Sequence, residues 1–231
     1  MTGKMYVKVT LNGPYEVSGT IPLNRAIIVP DGEGVSERWE KGESYDTGNG
    51  ESYFLCRCGH SKNRPFCDGT HATDGFAGTE VAGRRRYEDG AKLYEGAGLD
   101  LLDNERLCVI ARFCDRAGQI WCLMGYSDDP EVRKLVTAEA CNCPGGRLTI
   151  VTRDGREIEP ELKREISLVE DPVQDFRGPL WVKGGVEIVG SDGQGYQVRN
   201  RVALCRCGET RNMPFCDGSH YQCDHMRGLD G

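Results

Sequence analysis

Apolar and polar positions alternate at the start of the chain. Met5, Val7, Val9 and Leu11 predict a half-buried strand that stops at Asn12, Gly13 and Pro14. YEVSGTI at residues 15–21 resumes a strand, and the Gly-, Glu- and Ser-rich stretch 30–50 predicts a loop or hairpin tip. Tyr53 and Leu55 then alternate into Cys56. Far downstream, after a hairpin turn at Asp192 and Gly193, Tyr196, Val198, Asn200, Val202 and Leu204 alternate into Cys205 in the same way. Between these β-patterned ends the period changes. SDDP at residues 127–130 caps a helix whose apolar face is Val132, Leu135, Val136 and Ala140, and which ends near CNCPGG at 141–146. LTIV at 148–151 reads as a strand turning at Asp154 and Gly155 toward Ile158.

Both alternating ends run into the same sixteen-residue frame: CRCGHSKNRPFCDGTH at 56–71 and CRCGETRNMPFCDGSH at 205–220, each spaced C-x-C-x8-C-x3-H. Three thiols and an imidazole within sixteen residues can close a metal site without help from elsewhere. Gly59 permits a turn after the second cysteine, and Pro65 stiffens the approach to the third. Asp68 and Asp217 are candidate N-caps of short helices that would set Cys67 above His71, and Cys216 above His220, on one face. The N–H groups and dipole of such a helix would favour an anionic, thiolate-bound group. The repeat extends upstream, because GPLWVKGG at 178–185 answers GPYEVSGT at 13–20. The first copy is longer between that pair and the first ligand, and the surplus falls in 30–50. Spacing alone leaves both structural zinc sites and iron–sulfur sites open, since Cys3His is a common zinc set.

The residues between the ligands carry a family resemblance. Ser61, Pro65, Asp68, Gly69 and Thr70, and again Thr210, Pro214, Asp217, Gly218 and Ser219, complete C-x-C-x2-[S/T]-x3-P-x-C-[S/D]-G-[S/T]-H. Each copy thus resembles the CDGSH iron–sulfur proteins, the mitoNEET-like group. The resemblance implies two [2Fe–2S] clusters, held by Cys56, Cys58, Cys67 and His71 and by Cys205, Cys207, Cys216 and His220. In each, one iron would sit on two cysteines and the other on cysteine and histidine. The implied fold is α+β, mainly β: two duplicated small β-plus-cluster units in a pseudo-two-fold pair, with a small α/β ferredoxin-like insert between them. Single-motif relatives pair as homodimers with swapped strands, so a monomeric pseudodimer is expected here.

On this plan residues 1–94 form the first unit, 95–171 the middle segment and 172–231 the second unit. The middle segment resembles a divergent single-cluster ferredoxin. Cys108 and Cys114 stand at the first and third positions of C-x2-C-x2-C, Ala111 stands at the second, and Cys143 precedes proline like the distant fourth ligand. Three thiolates could hold a third iron–sulfur cluster, Cys122 or Cys141 could supply a fourth ligand, or the cysteines could serve as small apolar core residues. Cys223 and His225 form a further pair near the C-terminal end.

Composition narrows the functional classes. A net charge of −7 gives nucleic-acid binding no support, and the Arg84, Arg85, Arg86 run reads as a solvated strand end or partner contact. Twelve cysteines without a signal-peptide pattern at MTGKMYVKVT, and without a long apolar run, predict a soluble cytoplasmic protein off the membrane. That departs from the membrane-anchored mitoNEET relatives. No nucleophile–base pair, Walker loop or dinucleotide fingerprint points to independent catalysis. The expectation is an electron carrier or a cluster storage and transfer protein, with redox proteins or apo iron–sulfur acceptors as partners. The alternatives are a redox sensor or electron-transfer subunit using a middle cluster, and a zinc-stapled interaction module.

Overall fold

The opening alternation becomes β1 (Tyr6–Val9) in the computed structural model, which describes residues 4–48 and 50–229. Val7 and Val9 are buried, but Leu11 is 75% exposed because the strand has already given way to the turn. β2 (Tyr15–Ser18) returns antiparallel to β1. Next come β3 (Leu23–Pro30) and β4 (Ser36–Tyr45). Of the loop or hairpin tip expected across 30–50, residues 31–35 are the tip of the β3–β4 hairpin, and 36–45 are strand instead of loop. β4 is an edge strand paired with β3, and its Glu and Lys side chains face solvent, which disguises it as a loop in composition. β5 (Ser52–Leu55) alternates exposed and buried and delivers Cys56 at its end.

The middle segment contributes β6 (Lys92–Glu95), β7 (Leu99–Asp103), α1 (Ile120–Leu123), α2 (Pro130–Cys141), β8 (Leu148–Thr152) and β9 (Glu157–Ile158). α2 starts where its cap predicts: the Asp129 carboxylate accepts from the N–H groups of Glu131 and Val132 at 2.8 and 3.2 Å. Val136 and Ala140 lie fully buried against Leu101, Leu148 and Ile150 of the sheet β6-β7-β8-β9. The chain then adds β10 (Glu165–Asp171), β11 (Phe176–Lys183), β12 (Glu187–Val189) and β13 (Arg201–Leu204). The long alternation from Tyr196 reduces to β13, the earlier residues being irregular. The molecule is α+β and mainly β.

Among the described residues, two further sheets run β12-β1-β2-β5 and β13-β11-β10-β3-β4. The pairs at one edge of each share one register. Tyr15 faces Leu55 and Val17 faces Tyr53 across β2 and β5; Leu180 faces Leu204 and Val182 faces Val202 across β11 and β13. The strands that follow cross over: β3 pairs parallel with β10 in the second sheet, and β12 pairs parallel with β1 in the first. Val7, Val17 and Leu55 of one sheet meet Ile166, Leu180 and Leu204 of the other in a single core. Each fully buried aliphatic side chain there contributes roughly 1.5–3 kcal/mol.

The outer faces differ. Glu16 and Phe54 oppose each other on β2 and β5 with Phe54 44% exposed, whereas the equivalent Trp181 and Ala203 are buried under Val109, Ala111 and Phe113 of the middle segment. By sequence β10 falls within 95–171, yet its pairing partners are β11 and β3.

Candidate functional site

Each cysteine–histidine loop hangs from the end of a strand by the same main-chain bonds. The Cys56 N–H donates to the Pro65 carbonyl and the Cys67 N–H to Phe54, both at 2.9 Å; Cys205 donates to Pro214 and Cys216 to Ala203 at the same distances. Ser61 and Thr210 hydroxyls donate to the Phe66 and Phe215 carbonyls at 2.6 and 2.7 Å. Asp68 and Asp217 brace the loops rather than cap helices. One oxygen accepts from the Lys62 or Arg211 N–H at 2.7 or 3.0 Å, the other from Thr70 or Ser219 at 3.0 or 3.1 Å. In place of the expected helices stand 3-10 turns, Thr70–Ala72 and Ser219–Gln222, preceded by Gly69 and Gly218 in the left-handed region. Turns this short carry little aligned dipole, so the local N–H groups act individually: Gly69 and Gly218 donate to the sulfurs of Cys67 and Cys216 at 3.5 and 3.4 Å.

The eight candidate ligands gather as four pairs. Cys56 and Cys58 sulfurs lie 3.7 Å apart, and Cys67 Sγ is 3.3 Å from His71 Nδ1. In the second loop the distances are 3.5 Å for Cys205 with Cys207 and 3.4 Å for Cys216 with His220. Among the described residues, no three His, Cys, Asp or Glu side chains converge on a single ion position. The hydrogen bond from its neighbour pulls the Cys56 thiol down to about 6 and also lowers Cys205. Burial pushes Cys67 and Cys216 up, and it lowers His220 to about 4.

Residues outside the ligand set hold the loops in place. Arg57 and Arg206, between the first two cysteines of each motif, are buried and reach back to the glycine-proline turns. Arg57 donates to the Gly13 and Thr10 carbonyls at 2.8 and 3.0 Å, and Arg206 to Gly178 and Val169 at 2.6 and 3.1 Å. Their identity in both copies was the available signal, overlooked because arginine reads as surface. Phe76 packs on Arg57, 5.1 Å from guanidinium to ring centre. The two loops abut: a Cβ at Gly59 would lie 2.9 Å from the Cys207 carbonyl, and one at Gly208 2.7 Å from that of Cys58. Both positions need glycine for that approach and for φ near 84° and 85°. The Tyr15 hydroxyl, fully buried, crosses from the first sheet to the Cys205 and Pro214 carbonyls at 2.7 and 3.1 Å.

Elsewhere, Cys108, Cys114 and Cys143 line one cavity of about 150 Å³ together with Ala111, Trp121 and Arg147. Arg147 is held by Asp103 at 2.6 and 2.8 Å. Cys122 is exposed, and Cys141 faces the Ile158 carbonyl at 3.9 Å, so neither lines that cavity. Cys223 donates to the Ser219 carbonyl at 3.3 Å, while His225 sits 3.0 Å from the Cys207 carbonyl and stacks edgewise on His60. Arg84 stacks on Tyr196 and pairs with Asp192 at 2.8 Å, while Arg85 and Arg86 are exposed.

Two copies of one cysteine- and histidine-bearing loop on paired sheets define a protein with two alike candidate metal sites. Residues 12–72 and 177–221 match the family described as iron-binding zinc finger, CDGSH type, which supports a tandem CDGSH iron–sulfur domain protein. No curated protein and no solved structure matches the chain. Among the described residues, no helix is long and apolar enough to cross a membrane.

Proposed function

We propose that the chain holds one [2Fe–2S] cluster per CDGSH unit and works in electron transfer or in cluster storage and transfer, without catalysis of its own. The carrying observation is the pairing of the donors. Two ligands on one tetrahedral metal at about 2.3 Å stand about 3.8 Å apart, and the sulfur–sulfur pairs are spaced at 3.5 and 3.7 Å. A zinc site would draw all four donors of a loop to one point, whereas two irons ask for two separate pairs. Cys56 with Cys58 and Cys67 with His71 would hold the two irons of the first cluster; Cys205 with Cys207 and Cys216 with His220 would hold those of the second.

When bound, such a group accepts and returns one electron, and one imidazole in place of a thiolate makes it less negative and easier to reduce than a four-cysteine site. The chain's part is to present thiolates, donate N–H groups to the sulfurs and keep the loops rigid. The exchanged strands support a pseudo-two-fold pair within one monomer, and soluble redox proteins or apo iron–sulfur proteins are the fitting partners.

A second reading is supported by one observation: Cys108 and Cys114, together with the more distant Cys143, line one cavity beside the Arg147 cation. A third cluster there would make the chain a redox sensor or an electron-transfer subunit. Metal and acid-labile sulfide content with a visible spectrum, on anaerobically purified protein, tests both readings. Two irons and two sulfides per unit are expected. A colourless zinc protein would refute the first reading, and an iron content beyond that of two units would support the second.

A further inference from the structure

We propose that the two CDGSH units have divided the work: the first is the exchange site, from which the metal group passes to an acceptor protein, and the second is a closed site whose group stays on the chain. This rests on the two-cluster reading above, and goes beyond it by assigning different roles to sites with the same ligands.

The contrast lies in what covers each Cys/His pair. Cys216 and His220 are each 3% exposed, while Cys67 and His71 are only half-buried. A Cβ added at Gly69 would meet nothing within 4 Å, but at Gly218 it would strike the Ile110 side chain at 2.7 Å and the Cys108 carbonyl at 3.3 Å. The covering segment is residues 106–113 of the middle segment, absent from the first unit's surroundings. It is tied down along its length. Asn212 donates to the Arg106 carbonyl at 3.3 Å, and the Tyr221 hydroxyl lies 3.3 Å from that of Ile110. Arg112 forms a bidentate pair with Asp171 at 2.7 and 3.2 Å, and Tyr221 donates to the same carboxylate at 2.6 Å. Val109, Ala111 and Phe113 seal the face beneath, in the same buried cluster as Cys216.

Tyr221 itself marks the asymmetry, because the position after the ligand histidine is Ala72 in the first copy. Its ring lies 4.5 Å from that of His220, centre to centre. Ile110 is a β-branched residue held at φ 57°, a conformation that persists only where surrounding contacts enforce it.

An acceptor with cysteine thiols can therefore reach the Cys67/His71 side of the first site and not the corresponding side of the second. Handing over the intact group breaks three iron–thiolate bonds and one iron–imidazole bond here and forms as many on the acceptor, with no change of oxidation state. Protons released by the acceptor thiols end on the freed thiolates of Cys56, Cys58 and Cys67 and, for a fourth thiol, on the His71 imidazole.

The test adds excess apo-ferredoxin of the four-cysteine type to the iron-loaded full chain, and follows absorbance with iron retained on the chain. Half the iron should leave in a fast phase and the rest about tenfold more slowly or less, the closed site waiting on local opening. Protein lacking the second site (Cys216→Ser with His220→Ala) should keep only the fast phase, and protein lacking the first (Cys67→Ser with His71→Ala) only the slow one. Tyr221→Ala with Ile110→Gly, where glycine suits the positive φ, should bring the slow phase toward the fast. Amide hydrogen exchange offers a readout independent of iron: Gly218 should be protected well beyond Gly69. One shared rate, a fast phase belonging to the second site, a slow phase indifferent to uncovering, or equal exchange at the two glycines would each overturn the division. Failure of the two-cluster reading shows separately, as missing iron and sulfide before any transfer is attempted.

Discussion

Glu139 is 1% exposed near the end of α2, and neither of its carboxylate oxygens has a hydrogen-bond partner. Burial raises its pKa from 4.5 to about 8, against the pull of Arg116 and with a small push from Asp115. Near neutral pH the folded protein keeps this side chain protonated while the unfolded chain ionises it. The native state thus binds the extra proton between about 4.5 and about 8, and stability falls as pH rises through that window. Within that window the slope is about 1.4 kcal/mol per pH unit, and it falls to half of that as the pH reaches about 8.

Glu139→Gln keeps the shape and removes the titration. From pH 6 to pH 8 the variant should gain about 2 kcal/mol over the parent chain, or roughly 4–8 °C in midpoint for a chain of this size. Above pH 8 the gain should level off. The assay is thermal unfolding of both proteins in parallel from pH 6 to 9, reported as variant minus parent so that other titrating groups cancel. Parallel curves would show that the carboxylate is ionised inside the fold, and the reasoning from its burial would fail. The outcome bears on the cysteine cavity too, because Asp115 and Cys143 line it and Cys143 lies two residues beyond α2.

Tyr15→Phe deletes the hydroxyl that bridges to the Cys205 and Pro214 carbonyls. It should destabilise the chain by about 1–3 kcal/mol in urea unfolding; an unchanged midpoint would mean the bridge is dispensable. His71→Cys and His220→Cys should slow the loss of visible absorbance on acidification and shift reduction potentials down toward the plant-type range near about −400 mV. The effect on acid loss should be larger for His71, which is half-buried, than for His220; equal acid lability of parent and variants would remove the imidazoles from that process.

The two ligand frames, the shared glycine-proline turns and the cap of α2 were legible because each depends on residues close in sequence. β4 was not, since the Glu, Lys and Ser of Ser36–Tyr45 outweigh Trp39 and Tyr45 in composition; the pairing with β3 makes it a strand. The crossing of β3 and β12 into opposite sheets involves contacts more than a hundred residues apart, which periodicity does not register. At the ligand loops, aspartate before glycine suggested a helix cap, but left-handed Gly69 and Gly218 turn the chain into a single 3-10 turn. The C-x5-C spacing and a distant C-P were enough to nominate Cys108, Cys114 and Cys143. What spacing could not say is that the same loop would lie against the second CDGSH unit.

The strand crossing has a consequence for how the halves could change. In a homodimer of identical subunits, any alteration of one outer face is imposed on both. Here both copies lie on one polypeptide and each sheet takes strands from the other end of the chain, β12 in one and β3 with β4 in the other, so neither end can leave to find a different mate. The two outer faces therefore differ: Phe54 stands 44% exposed on one sheet, while Trp181 and Ala203 on the other lie under a roof.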